Sequence, residues 1–397
     1  MIDPQGLYQH PNALSPFYSK FAVQDRLLLT GHSHQAWPDC GFEGQCQAWL
    51  DAAEHADQKW TYAFAKADRV RRGFARLLDD SGGHIALASN THELVVRFLS
   101  ALPIRERRRI VTTDGEYHTI RRQLDRLAEE NIDVVRITAR PTATLAERLV
   151  EALDERTAAV LVSSVLYESG HIVPGLGNLQ GACKKIGAEL LVDAYHSLNV
   201  VPFSLEREGL QAAFVVGGGY KYCQLGEGNC FLRIPEQCNL RPVITGWFSE
   251  FDTLAVARAG SAVSYGEGPA RFAGSTYDPT SHYRAAAVFD FFDEHGLTPE
   301  RLREVSRHQV GLLVRLFDEL DADPKLIARD RSVDLDGIGG FLALHSPRAG
   351  ELCRLLNERG VFTDYRGDTL RLGPAPYLSD RQLTGAVDAL GEVVRSL

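Results

Sequence analysis

Between Gly83 and Phe231, short apolar runs alternate with amphipathic stretches, and this alternation restricts the possible folds more than any other feature of the chain. The runs HIALAS, RIVTTD, DVVRIT, AAVLVSS, ELLVDA, AAFVVGG and NCFLRI are rich in Val, Ile, Leu and Ala and lack strict polar alternation, as strands covered on both faces do. Between them, THELVVRFLSAL, HTIRRQLDRLAEE, TLAERLVEALDE and NLQGACKKIG carry helical spacing. This succession predicts an α/β domain with a mainly parallel seven-stranded sheet and helices on both faces. After Thr276 the order changes: two helical stretches, SHYRAAAVFDFFDEHG and PERLREVSRHQVGLLVRLFDEL, precede GFLALHS, ELCRLLNERG and LRLGPAPY. A smaller α+β domain is expected there, giving a large domain over residues 31–279 and a small one formed by 1–30 with 280–397 that closes over it.

Composition narrows the function classes. The 397 residues carry a net charge of −9 with acidic and basic side chains interspersed, so the basic stripe of a nucleic-acid binder is missing. No run reaches the length needed to span a bilayer, and the N-terminus lacks a basic segment followed by an apolar one; the mature chain is expected to start near Met1. The seven cysteines form no C-x-x-C pair, which argues against a metal ribbon or a redox motif and for reduced thiols in the cytoplasm. No metal site is expected.

Three stretches carry chemistry. An apolar strand in AELLVDAYHSL ends on Asp193 with His196 three residues later, and strand carboxyl ends in open α/β sheets face the ligand crevice. Lys221 follows 28 residues after Asp193, between Tyr220 and Tyr222 in a glycine-rich turn. In IALASNTHEL a strand gives way to a helix that opens at Asn90 and Thr91, where free backbone N–H groups and the helix dipole suit a phosphate. Read alone, each has an ordinary structural explanation: a turn former, a solvated lysine, an N-cap with Asn90 and Glu93 at capping-box spacing.

Together, the Asp-x-x-His pattern followed by Tyr-Lys-Tyr resembles the class V aminotransferase superfamily of fold-type I pyridoxal-phosphate enzymes, and within it the kynureninases. Eight segments keep the family's order: GHSHQAWPD, SNTHEL, VSSVLYESG, DAYHSLNVVP, GGGYKY, ITGWFSEFD, RFAGSTYDP and TDYRGDTLRLGPAPYLS. The resemblance implies pyridoxal 5'-phosphate held by Lys221 as a Schiff base, Asp193 on the pyridinium nitrogen, and His196 supporting that carboxylate or the phenolic oxygen. It places Asn90, Thr91 and Tyr220 at the phosphate, and Ser169 in the cofactor set. Trp247 and Thr276 would complete the phosphate site of a partner subunit, so a homodimer is implied. Arg371 would bind the substrate α-carboxylate. Tyr117 or His118 would stack on the cofactor ring, where kynureninases have Phe.

The activity this resemblance implies is hydrolytic Cβ–Cγ cleavage of kynurenine or 3-hydroxykynurenine to an anthranilate and L-alanine. The family's Gly-Val-x-x-x-His segment at the aryl end of the substrate is replaced by WLDAAEHADQKWTYAFAKADRV, which leaves His32 and Ser33, with His34 and Trp37, as substrate contacts. An aminotransferase or a Cβ-heteroatom lyase uses the same lysine and aspartate. A persulfide-forming desulfurase needs a loop cysteine between Cys353 and Arg371, and none is there. A nucleotide-dependent oxidoreductase would want the G-x-G-x-x-G that LASNTHEL lacks, and a cofactor-binding regulatory protein would normally add a basic DNA-binding module.

Overall fold

The structure is a computed structural model that describes residues 2–254 and 263–397. A short strand, β1 (Leu27–Leu28), and two helices, α1 (Asp39–His55) and α2 (Lys59–Leu77), precede the main sheet. There follow β2 (Ile85–Ala88), α3 (Thr91–Ala101), β3 (Arg109–Thr113), α4 (His118–Ala128), β4 (Asp133–Ile137) and α5 (Leu145–Glu151). Next come β5 (Thr157–Ser163), α6 (Leu176–Ile186), β6 (Glu189–Asp193), β7 (Phe214–Gly218) and β8 (Cys230–Arg233).

All seven expected strands form one sheet in the order β2-β8-β7-β6-β5-β3-β4. β8 runs antiparallel to both β7 and β2, and the remaining neighbours are parallel. The two reversals cancel, so β2 points the same way as β7, and the carboxyl ends of β2, β3, β5, β6 and β7 open on a single edge.

Strand periodicity sends alternate residues to opposite faces. Val111, Val160, Leu190, Val192 and Val215 join one core with Val70 and Phe74 of α2, Leu149 of α5 and Leu179 of α6. Ile110, Leu161, Leu191, Phe214 and Val216 join the other with Leu94 and Phe98 of α3 and Ile120 of α4. The continuous apolar reading of these strands thus has its cause in two helical layers.

The remaining elements are α7 (Thr280–His295), α8 (Pro299–Glu319), β9 (Ala328–Arg329), β10 (Leu342–His345), α9 (Ala349–Glu358), β11 (Val361–Phe362), β12 (Asp364–Arg366), β13 (Thr369–Leu372) and α10 (Asp380–Arg395). β12, β13, β10 and β9 make an antiparallel sheet packed by α8 and α9, with α10 lying against both helices, the expected α+β part. The N-terminal segment joins it: β1 pairs in parallel with β11, and Thr30 bridges Gly373. The helix α7 packs instead on α1 and α2.

The helices α1 and α2 were not anticipated. On α1 only Gly41 and Asp51 are buried, while Phe42, Trp49 and Leu50 are exposed, so its apolar residues trace no inward stripe. Its approach to α7 rests on glycine: a Cβ at Gly44 would lie 2.7 Å from the Tyr283 carbonyl oxygen. α2 is pinned by Phe74, fully buried between Phe231 of β8 and Phe289 of α7 at centroid distances of 4.5 and 5.5 Å. Phe74→Ala is expected to cost about 3–5 kcal/mol, read as a lower urea midpoint at unchanged slope.

Candidate active site

The shared carboxyl edge gathers the chemistry. β6 ends on Asp193, β7 leads through Gly219 and Tyr220 to Lys221, and the turn after β3 carries Glu116 and Tyr117. Beyond β5 the chain reaches Tyr167, and β2 delivers Asn90 to the start of α3.

Lys221 is buried, and its Nζ lies 2.7 Å from His196 Nε2. The rings of Tyr195, Tyr117 and Tyr220 surround the amine, with centroids at 4.8, 5.2 and 5.7 Å. Burial pushes the Lys221 ammonium down to about 7, with the nearby Arg371 charge adding to the effect and Asp193 opposing it. Burial holds Asp193 above its ordinary range despite the Tyr195 N–H donating to Oδ1 at 2.8 Å. His196 is held well below its usual value by burial and by the Lys221 and Arg371 charges, so its ring is neutral and accepts from the amine.

Tyr117 is the N-cap of α4 and packs against Tyr167 and His196 at 5.3 and 6.5 Å, while His118 is exposed. Of the two stacking candidates, the geometry favours Tyr117. Its turn is braced by buried Glu116, which accepts from Thr113 Oγ1 at 2.7 Å and from Ser163 Oγ at 2.6 Å. Burial pushes the Glu116 carboxyl up to about 7.

At the start of α3, Asn90 Oδ1 accepts the Glu93 N–H at 2.9 Å, and Glu93 is tied to Arg97. Thr91 heads the helix behind that cap. His34 stacks on Tyr220 at 4.9 Å, and the Ser33 hydroxyl bonds the same histidine. Trp247 and Thr276 are solvent-facing on the segment after β8; Thr276 lines a cavity of about 950 Å³ with Ser89, Glu93 and Arg97.

Ser169 stands apart: its Oγ accepts the His171 N–H at 3.3 Å within its own turn, and it lines a cavity of about 250 Å³ with Arg140 and Asp330.

Arg371 is 3% exposed and sits directly opposite Asp364 across the β12–β13 hairpin. It grips that carboxylate through Nε at 2.9 Å and Nη2 at 2.5 Å, while Nη1 donates to the Tyr167 carbonyl at 2.7 Å. His32 is fully buried on the other side of the same carboxylate, Nε2 to Oδ1 at 2.7 Å. Asp364, Glu116 and Tyr167 escaped the sequence reading. For Asp364 the signal was present: DYRGDTLR reads as a hairpin with a two-residue turn at Gly367 and Asp368, and that register sets 364 against 371.

A pyridoxal phosphate suits this donor set: a buried amine driven toward its neutral form, a carboxylate beside it, an aromatic face and a helix N-terminus. Among the described residues no group of three or more His, Cys, Asp or Glu side chains can hold a metal, and no helix is long and apolar enough to cross a membrane. Burial pushes the Cys40, Cys183 and Cys230 thiols up to about 12, away from the thiolate a persulfide step needs.

The fold and this edge define a pyridoxal-phosphate fold-type I architecture. Solved structures agree: a C-DES variant with glycine covalently linked to its cofactor superposes with a TM-score of 0.82 at 16% identity, covering 95% of this chain and 98% of that one. The cysteine desulfurase CsdA of Escherichia coli gives 0.80 at 16%, covering 100% of both chains. No family model matches the chain. Among curated relatives, the kynureninase of Pseudomonas fluorescens is 26% identical over 407 residues, 96% of this chain and 93% of its own length. That of Geobacillus thermodenitrificans is 26% identical over 99% of this chain and 90% of its own length. The chain is thus similar to kynureninases over nearly its whole length and shares the fold of these pyridoxal-phosphate-linked desulfurase structures.

The state of Lys221 has a pH signature. An amine with its pKa near 7 is protonated and inert below that value and free above it, whereas an ordinary lysine frees its amine only near 10.5. Capture of added pyridoxal phosphate by the unloaded protein is therefore expected to accelerate as pH rises through about 7 and then level off, measured by stopped-flow absorbance.

Proposed function

We propose that this chain is a pyridoxal-phosphate enzyme acting on an L-amino acid, by kynureninase-type hydrolysis of the Cβ–Cγ bond of kynurenine or 3-hydroxykynurenine to an anthranilate and L-alanine. The observation that carries the reading is the Lys221 amine, buried among three tyrosine rings beside Asp193 and His196, in a chain similar to kynureninases over nearly its whole length.

When bound, the cofactor supplies a conjugated ring that takes up negative charge developing at the substrate Cα. Lys221 would carry it through its amine and, once released by the substrate, move the proton at Cα. His196 holds that amine at 2.7 Å and, being neutral, takes its hydrogen bond without competing for charge. Asp193 would keep a proton on the ring nitrogen from within a site that excludes water.

Tyr117 would cover one ring face, and the N–H groups at Asn90 and Thr91 with the Tyr220 hydroxyl would hold the phosphate. Arg371 would fix the α-carboxylate, a planar bidentate task that lysine does not reproduce. His34 and Ser33 lie on the same loop as His32 and face outward beside Tyr220, where the aryl end of the substrate would enter.

The reading also proposes a homodimer in which Trp247 and Thr276 complete the phosphate site of a second copy. Val243 and Ile244 are 81% and 54% exposed on the same segment, and Phe251 and Leu254 continue that apolar surface. Charge there should split the dimer: Ile244→Glu is expected to halve the mass seen by light scattering and to loosen the cofactor in dialysis. A variant that stays dimeric with tight cofactor would remove this segment from the interface.

The function itself is tested with absorbance and fluorescence. Loaded protein should show a visible band that Lys221→Ala abolishes, and added L-kynurenine should release fluorescent anthranilate at a rate that variant loses at least ~1000-fold. No lysine-dependent band would end the cofactor reading. A band without anthranilate would move the reaction to an aminotransferase or a Cβ-heteroatom lyase.

A further inference from the structure

The arginine assigned to the substrate carboxylate is already engaged on one side. A guanidinium has five N–H groups. Three are used here, by Asp364 Oδ1, Asp364 Oδ2 and the Tyr167 carbonyl. Asp364 takes the Nε–Nη2 side, so one N–H is left over on each of Nη1 and Nη2, the two nitrogens from which an end-on fork to a second carboxylate can form.

The Asp364 carboxylate is itself held in place. His32 Nε2 reaches Oδ1, and His32 has no exposed surface. Its ring packs on Phe341 at 4.7 Å, and Arg371 lies over the same ring at 5.8 Å. The unused nitrogen, His32 Nδ1, is buried without a hydrogen-bond partner. Gly373 stands against it, where a Cβ would lie 2.1 Å away. A buried histidine that leaves one nitrogen unsatisfied to keep the other on a carboxylate is shaped by that one contact.

We propose that Asp364 and His32 are positioning residues for Arg371: they fix the guanidinium side-on, so that its remaining fork is set for the α-carboxylate of an amino acid. This rests on the reading of Arg371 given under the proposed function. His32 then acts on the substrate through Asp364 rather than by touching it. Charge balance is consistent with the arrangement. Arg366 Nη1 lies 3.6 Å from Asp364 Oδ2, so the substrate carboxylate and Asp364 together would face two guanidiniums.

The test separates carboxylate recognition from general integrity. Loaded protein is titrated with L-alanine and with ethylamine, which lacks only the carboxylate, and binding is followed by the change in the cofactor's absorbance. The ratio of the two dissociation constants reads the carboxylate's share of binding. In the wild type L-alanine should bind far more tightly. Asp364→Asn should shrink that preference at least ~10-fold, with ethylamine binding unchanged. His32→Phe should shrink it as well, while His32→Gln, which keeps a donor, should restore most of it.

If the wild type does not favour L-alanine, the assignment of Arg371 itself fails. If it does and Asp364→Asn keeps the full preference, or tightens L-alanine binding as removal of a competing plug would, the positioning role is overturned. Should Asp364→Asn not fold, the His32→Phe and His32→Gln pair decides alone: equal ratios in the two overturn the proposal.

Discussion

Everything at this site follows from keeping an amine out of water. An ammonium group transferred into a pocket of aromatic rings loses its hydration and receives little in return, so the Lys221 proton is held weakly. The same burial raises Asp193 and keeps His196 neutral, so the charges that survive are those with a strong partner. Arg371 is the chief of these, and its partner Asp364 is held far below the usual carboxylate range by the hydrogen bonds of His32 and Arg371 against the opposing cost of burial. One face of the site is thus built around a buried amine whose charge burial disfavours, and the other around an ion pair fixed in place.

The sheet makes this separation possible. Its parallel strands release Asp193, Lys221, Tyr117 and Tyr167 at a common edge, and α3 presents its free N–H groups there. The charged face comes instead from the antiparallel hairpin β12–β13 and the N-terminal segment, two pieces that lie outside the main sheet. Arg371 joins the two through its bond to the Tyr167 carbonyl.

The main sheet was legible in the sequence because each strand is sealed on both faces, which leaves an uninterrupted apolar run as its trace. Lys221 and Asp193 stood out in the sequence only in combination, an Asp-x-x-His at a strand end followed by a lysine between two tyrosines, since each alone has an ordinary structural explanation. α1 left no such trace, since its apolar side chains face outward and its tight contact with α7 uses glycine. Setting the half-buried Tyr117 apart from the more exposed His118 required knowing where α4 begins, since both rings lie near Tyr167. Ser169 matched a motif yet bonds within its own turn, and motif position alone did not reveal that. Asp364 depended on strand register, which fixes partners only when the turn between them is identified.

The contact between His32 and Asp364 spans 332 residues of sequence. On a ribosome, the strands bearing Asp193 and Lys221 emerge and can pair long before β12 and β13 exist, whereas His32 must wait for nearly the whole chain before its carboxylate arrives. On the role proposed for Arg371, a chain lacking β12 and β13 would lack the group that tells an amino acid from a simple amine. Under that proposal, substrate discrimination depends on the last part of the chain to be made.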